Sequence, residues 1–192
     1  MSSSADKWNK IYSQQSCEDI TPSNVVIENA HLLPSVGRAL DLASGLGANA
    51  IYLAKQKLLV DAWDASSTAL EKLDEYSQLN NLSINTSVRD VEKMPPEVDS
   101  FDVVTVSQFL HRPTFHNLTE SLHVGGLLFY QTFTLEKAYQ SSPTNPNFLL
   151  AKNELLKLCD GMEILAYREE GVQGDIQKGW RNQAMIVAKR KN

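Results

Sequence analysis

Two glycines and two carboxylates at fixed spacing are the residues of this 192-residue chain best placed to do chemistry. Gly45 and Gly47 stand in the run Asp41-Leu42-Ala43-Ser44-Gly45-Leu46-Gly47, and Ala50 completes a Gly-x-Gly-x-x-Ala spacing. A turn of such small residues lets a ligand approach the backbone at the start of a helix. Asp64 follows nineteen residues after Gly45. A carboxylate at that distance, closing the next strand, accepts hydrogen bonds from both hydroxyls of a ribose. Asp41 places a second acid just ahead of the turn.

Charge then discriminates between nucleoside ligands. A pyrophosphate resting on the turn would meet Asp41 at close range, which is unfavourable in a partly dry site. A sulfonium and an α-ammonium would be accommodated, so the pattern favours S-adenosyl-L-methionine over a nicotinamide dinucleotide. Length points the same way, because a dehydrogenase usually brings a separate substrate domain for which this chain has no room. Asp41 has another reading, as a hydrogen-bonding residue that shapes the turn.

The elements that must position these groups follow from periodicity. Ala39, Leu40 and Leu42 suit a buried strand, and Ala50, Ile51, Leu53 and Ala54 suit a helix face against a sheet. Residues 58–64 predict a second strand, 67–79 a helix, 84–88 a third strand and 101–106 a fourth, rich in β-branched residues. A helix over 114–122, a fifth strand over 127–133 after Gly125-Gly126, and a helix over 148–158 come next. Segments 162–168 and 183–188 then predict an antiparallel terminal pair. The fold class expected is α/β, a Rossmann-like doubly wound sheet, mostly parallel with an antiparallel C-terminal strand and helices on both faces. We expect one domain over residues 1–192, divided into an N-terminal helical lid, 1–36, and a core, 37–192. In the lid Trp8, Ile11 and Tyr12 share one helical face, followed by a second short helix from Asn24 to about Leu32.

Composition excludes several classes of function. A net charge of −5 argues against a nucleic-acid surface. No apolar run approaches the ~20 residues of a membrane span, and the first ten residues lack a signal-peptide core. Two cysteines, Cys17 and Cys159, fit a reducing compartment, so a cytoplasmic protein is expected. His116 and His123, seven apart on the expected helix, would lie about 10 Å apart along it. We read no metal site.

In order and spacing, Asp41–Gly47, Trp63-Asp64-Ala65-Ser66, Arg89-Asp90-Val91, Phe101-Asp102-Val103-Val104 and Gly125-Gly126-Leu127 resemble class I S-adenosylmethionine-dependent methyltransferases. Trp8 with Tyr12, Asn49 with Tyr52-Leu53-Ala54, and Phe109-Leu110-His111-Arg112 are similar to the tellurite-resistance-like branch of that class. The resemblance implies that Ala43, Ser44, Gly45 and Gly47 wrap the methionine part of the cofactor, beside Asp41, and that Asp64 holds the ribose. It further implies that Ala65 and Ser66 line the adenine, that Asp90 and Val91 address its edge, and that Ser107 to Phe109 lie beneath the cofactor. Ala43 stands where a glycine is common, Ser44 where a cysteine is, and Ala48 where an arginine or threonine is.

Trp8, Tyr12, His111 and Arg112 are the candidate contacts to a small-molecule acceptor, with Tyr130, Arg168, Trp180 and Arg181 as further residues that could reach it. No residue is assigned as a general acid or base. The expected reaction is in-line methyl transfer to a tellurite- or selenite-like oxyanion or to a thiol. A nicotinamide-dependent oxidoreductase and a catalytically idle cofactor-binding relative are the alternatives.

Overall fold

The computed structural model describes residues 4–192; the first three residues of the expected lid lie outside the described residues. Two short helices lead, α1 (Ser4–Tyr12) and α2 (Asn24–Glu28), the second followed by a 3-10 turn at Ala30–Leu32. Strands and helices then alternate through β1 (Arg38–Leu42), α3 (Ala48–Lys55), β2 (Leu59–Asp64), α4 (Ser67–Leu79) and β3 (Ile84–Val88). Next come β4 (Phe101–Ser107), α5 (Phe115–Ser121) and the long β5 (Leu122–Phe133). Then follow α6 (Glu154–Leu158), β6 (Glu163–Arg168) and β7 (Gln183–Lys189).

One seven-stranded sheet holds the order β3-β2-β1-β4-β5-β7-β6. All neighbours run parallel except at β7, which is antiparallel to both β5 and β6. This is the Rossmann-like α/β sheet expected from the sequence. The strand order reverses between β1 and β4, and in such sheets a ligand lies in the crevice beyond the carboxyl ends of the strands at that reversal.

Alternation along the strands builds a core on each face. Ala39, Val60, Val103, Phe129 and Val187 face Ala50 and Leu53 of α3 and Leu70 and Leu73 of α4. Leu40, Leu42, Val104, Val106, Leu128 and Ile186 face Phe115 and Leu118 of α5 and Leu155 of α6. With both faces covered, β1 and β4 are near-continuous apolar runs. Their edges are therefore rigidly placed.

Three expected boundaries are corrected. The fifth strand begins at Leu122, not 127, because the chain resumes pairing with Phe101 and then slips register before Val103. Gly126 fits inside that irregularity, where a Cβ would come within 2.8 Å of the His123 carbonyl. His123 is consequently a strand residue that pairs with Asp102 at 3.0 Å and shares no helix face with His116. The helix expected over 148–158 is confined to Glu154–Leu158. Leu150 instead pairs in extended form, its N–H donating to Phe133 O and its carbonyl accepting from Leu135 N. The second lid helix breaks at Asn29. Among the described residues no helix is long and apolar enough to cross a membrane.

Candidate functional site

The glycine turn sits at the carboxyl end of β1 with its backbone in the left-handed region at Ala43 (φ 56°), Gly45 (φ 54°) and Gly47 (φ 80°). Gly47 has no room for a side chain, since a Cβ would lie 2.5 Å from the Leu73 methyls in the core. At Gly45 the same atom would meet the Tyr12 hydroxyl at 2.6 Å, so α1 closes on the turn from outside. Ala43 holds a conformation that costs an L-residue ~1–2 kcal/mol.

Asp64, 8% exposed, is fixed by the turn it serves. Its Oδ2 accepts from Gly45 N and its Oδ1 from Ser66 N, both at 2.8 Å. Burial pushes its carboxyl above the ordinary range, against the pull of these amides. Each oxygen of a carboxylate can accept twice, so lone pairs remain for a ligand.

Asp41, 1% exposed, takes the second of its two readings. It accepts from Ala50 N at 2.9 Å and from Thr105 Oγ1 at 3.0 Å, tying β1 to β4 and to the first turn of α3. Burial pushes its carboxyl up to about 7. Burial thus weighs against the ionised form of this carboxyl ahead of the turn.

The remaining expected cofactor residues are less uniform. Ser44 lies in the turn with a buried Oγ that has no partner. Ala65 is half-buried, while Ser66 is fully buried and caps α4 by accepting from Ala69 N at 3.2 Å. Ser66 Oγ also donates to Asn9 Oδ1 at 2.6 Å, so its hydroxyl faces α1. Asp90 pairs with Lys93 at 2.6 Å, which holds its carboxyl below the ordinary range. Val91 is buried in the core beside Trp63. Ser107 Oγ accepts from Asn49 Nδ2 at 3.1 Å, and the Phe109 carbonyl accepts from Tyr130 Oη at 2.7 Å.

Of the candidate acceptor contacts, Trp8 and Tyr12 stack at 5.7 Å. Burial, then the Asp64 and Asp41 carboxylates, push the Tyr12 phenol up to about 12. His111 has Nε2 3.8 Å from Glu92 and a buried Nδ1 without a partner. Arg112 turns to the protein instead. Its guanidinium grips Glu154 at 2.6 and 2.9 Å and the carbonyls of Asn147 and Leu149 at 3.0 and 2.9 Å. It thereby takes carbonyls that the expected helix over 148–158 would have needed. Arg168 is held by Glu170 at 2.7 Å, and Arg181 by the carbonyls of Lys178, Gly171 and Asp175. Tyr130 and Trp180 are buried.

Sequence reasoning missed Asn49 as a hub. Its Oδ1 accepts from Ser23 N and Ser23 Oγ, both at 2.9 Å, while its Nδ2 donates to Ser107. A polar residue on the otherwise apolar face of α3 was the available signal. Asn9 and Lys72 were missed as well, because their partners lie about sixty positions away, beyond any local pattern.

Sheet order, glycine turn and strand-end acid together define the fold of the class I S-adenosylmethionine-dependent methyltransferases. The model of the family described as tellurite resistance protein TehB matches residues 7–189. The chain belongs to that family. A probable S-adenosyl-L-methionine-dependent methyltransferase, TehB of Haemophilus influenzae, is 28% identical over 175 residues, covering 85% of this chain and 58% of that protein. A ubiquinone biosynthesis O-methyltransferase of Coxiella burnetii is 25% identical over 140 residues, covering 70% of this chain and 60% of the relative. The chain therefore spans less than two thirds of these curated relatives. The crystal structure of TehB from Haemophilus influenzae superposes with a TM-score of 0.75 at 23% identity, over 97% of this chain and 67% of that one.

Proposed function

We propose that this chain is an S-adenosyl-L-methionine-dependent methyltransferase acting on a small-molecule acceptor. The observation that carries the reading is Asp64, held at the end of β2 by Gly45 N and Ser66 N with lone pairs to spare for a ribose diol. The rest of the site fits the cofactor. The orphaned Ser44 Oγ offers a donor to a carboxylate, and the Tyr12 ring covers the turn at Gly45. When bound, the cofactor supplies a methyl group already activated by its sulfonium. The protein then has to align the reactants and exclude water, which can contribute several kcal/mol or more.

The family's name directs attention to tellurite and the Coxiella relative's to a hydroxyl acceptor. The arginines of this chain favour a neutral, soft nucleophile such as a thiol. All six have protein partners, and Arg112, the arginine expected at the acceptor, is spent on Glu154 and two backbone carbonyls. A thiol carries some thiolate at neutral pH and needs no strong base.

Calorimetric titration with S-adenosylhomocysteine tests the cofactor assignment. Asp64→Ala should weaken binding about a hundredfold or more, since each charged hydrogen bond contributes ~1.5–3 kcal/mol and ~1.4 kcal/mol is tenfold. An unchanged affinity, or thermal stabilisation by NADH and not by S-adenosylhomocysteine, would overturn it. A panel of thiols, phenols, tellurite and selenite, assayed by S-adenosylhomocysteine release, identifies the acceptor. Turnover confined to the oxyanions would refute the thiol reading.

A further inference from the structure

The C-terminal half of the N-terminal helix is fastened to α4 at two points, before and after the tyrosine that touches the glycine turn. One turn before its end Asn9 Oδ1 accepts from Ser66 Oγ at 2.6 Å and from Thr68 N at 3.3 Å, at the head of α4. At its finish Lys72, one turn further along α4, donates to the carbonyls of Tyr12, Ser13 and Gln15 at 2.8, 3.0 and 2.6 Å. An ammonium has three N–H donors, and all of them are spent here on carbonyls at and just beyond the helix C-terminus, where positive charge is also favoured by the helix dipole. Between the two fastenings the Tyr12 ring is backed by Trp8 and its hydroxyl is pressed against Gly45. Cys17 Sγ adds a contact to the Leu46 carbonyl at 3.5 Å, so the chain beyond α1 also follows the turn.

We propose that Lys72 is a positioning residue for the cofactor site: by clamping the end of α1 it holds Tyr12 as a fixed wall over the amino-acid half of the ligand. The proposal rests on the cofactor reading given above. It makes the first helix of the expected lid a docked element whose placement is set from α4. Lys72 bonds the carbonyls of Tyr12, Ser13 and Gln15 and not the turn itself, so its effect on the site passes through the end of α1. The nucleoside half, held by Asp64, does not depend on it.

Two ligands separate these halves. S-adenosylhomocysteine carries the amino-acid portion, and 5′-methylthioadenosine lacks it. In calorimetric titrations Lys72→Met should weaken S-adenosylhomocysteine about tenfold, the scale of one lost neutral contact, and leave 5′-methylthioadenosine within about twofold. Tyr12→Leu should give the same selective loss, and Lys72→Arg should restore it. Tyr12→Leu, which leaves the Lys72 contacts to backbone carbonyls in place, covers the case in which Lys72→Met fails to fold. Equal loss for both ligands would mean that the clamp merely stabilises α4, and no loss for either would mean that α1 does not cover the site. Either result overturns the proposal. Failure of the wild-type protein to bind either ligand would instead overturn the cofactor reading itself.

Discussion

Carboxylates behave in opposite ways in two parts of this molecule. Around the glycine turn Asp41 and Asp64 are buried, bound by backbone amides and a hydroxyl, and pushed above their ordinary range. In the segments beyond β5, Glu154 at the start of α6 and Glu170 in a loop are paired with Arg112 and Arg168 and held below it. Amide hydrogen bonds orient a carboxylate without cancelling its charge, whereas a guanidinium cancels it outright. In the function proposed above the turn is the receptor for a cation, and the already neutralised segments beyond β5 are its frame.

The largest effect expected from testing this contrast is on stability. Arg112→Ala removes a bidentate pair in which Glu154 is mostly buried, and should cost about 2 kcal/mol, lowering Tm by roughly 4–8 °C. It should also flatten the acid limb. The Glu154 carboxyl is depressed in the folded state, so its contribution is present above its ordinary pKa, ~4.3, and is lost as pH falls through the lower folded value. Cofactor affinity should stay within about twofold. A large loss of affinity would show that the loops are part of the receptor after all.

Ala43→Gly probes the other region and should act in the opposite direction. Relief of the left-handed strain, ~1–2 kcal/mol, outweighs the extra freedom that glycine gains in the unfolded chain, ~0.4–1 kcal/mol. A rise in Tm of about 1–3 °C follows, measured by thermal melting. A fall would mean that the Ala43 methyl contributes more by packing than its backbone loses by strain.

The smallest signal is a proton. With the Asp41 carboxyl near 7, the folded protein carries a proton there that the unfolded chain lacks between ~3.9 and 7, so stability falls as pH rises through that window. A cationic ligand favours the ionised form, and at pH 7 its binding should release up to about half a proton. Titration of S-adenosylmethionine in buffers of different ionisation enthalpy reads that number, and Asp41→Asn should abolish it. Proton uptake in place of release would contradict the electrostatic account of the turn.

The geometry of the glycine turn was legible in the sequence because its parts are local. A strand, a left-handed small-residue turn and a helix start leave their marks within ten residues, and Asp64 falls at a spacing set by one strand–helix–strand unit. The frame was not. Arg112 finds Glu154 forty-two positions away, and with Asn147 and Leu149 it overrides a helical pattern that the intervening residues carry on their own. Asp41 was legible as a residue but not in its charge state, because spacing does not encode burial. The start of β5 was misplaced for a related reason, since two glycines read as a break while the sheet absorbs them in an irregular register.

The position of β7 has a consequence for biosynthesis. It is the last strand in chain order, yet it lies inside the sheet, hydrogen-bonded along the whole of Leu127–Phe133 on one side and to β6 on the other. Until the ribosome has released this segment, the apolar β5 is an open edge able to template pairing with other nascent chains. Translation that stalls before Gln183 would thus leave an aggregation-prone product with its glycine turn already made.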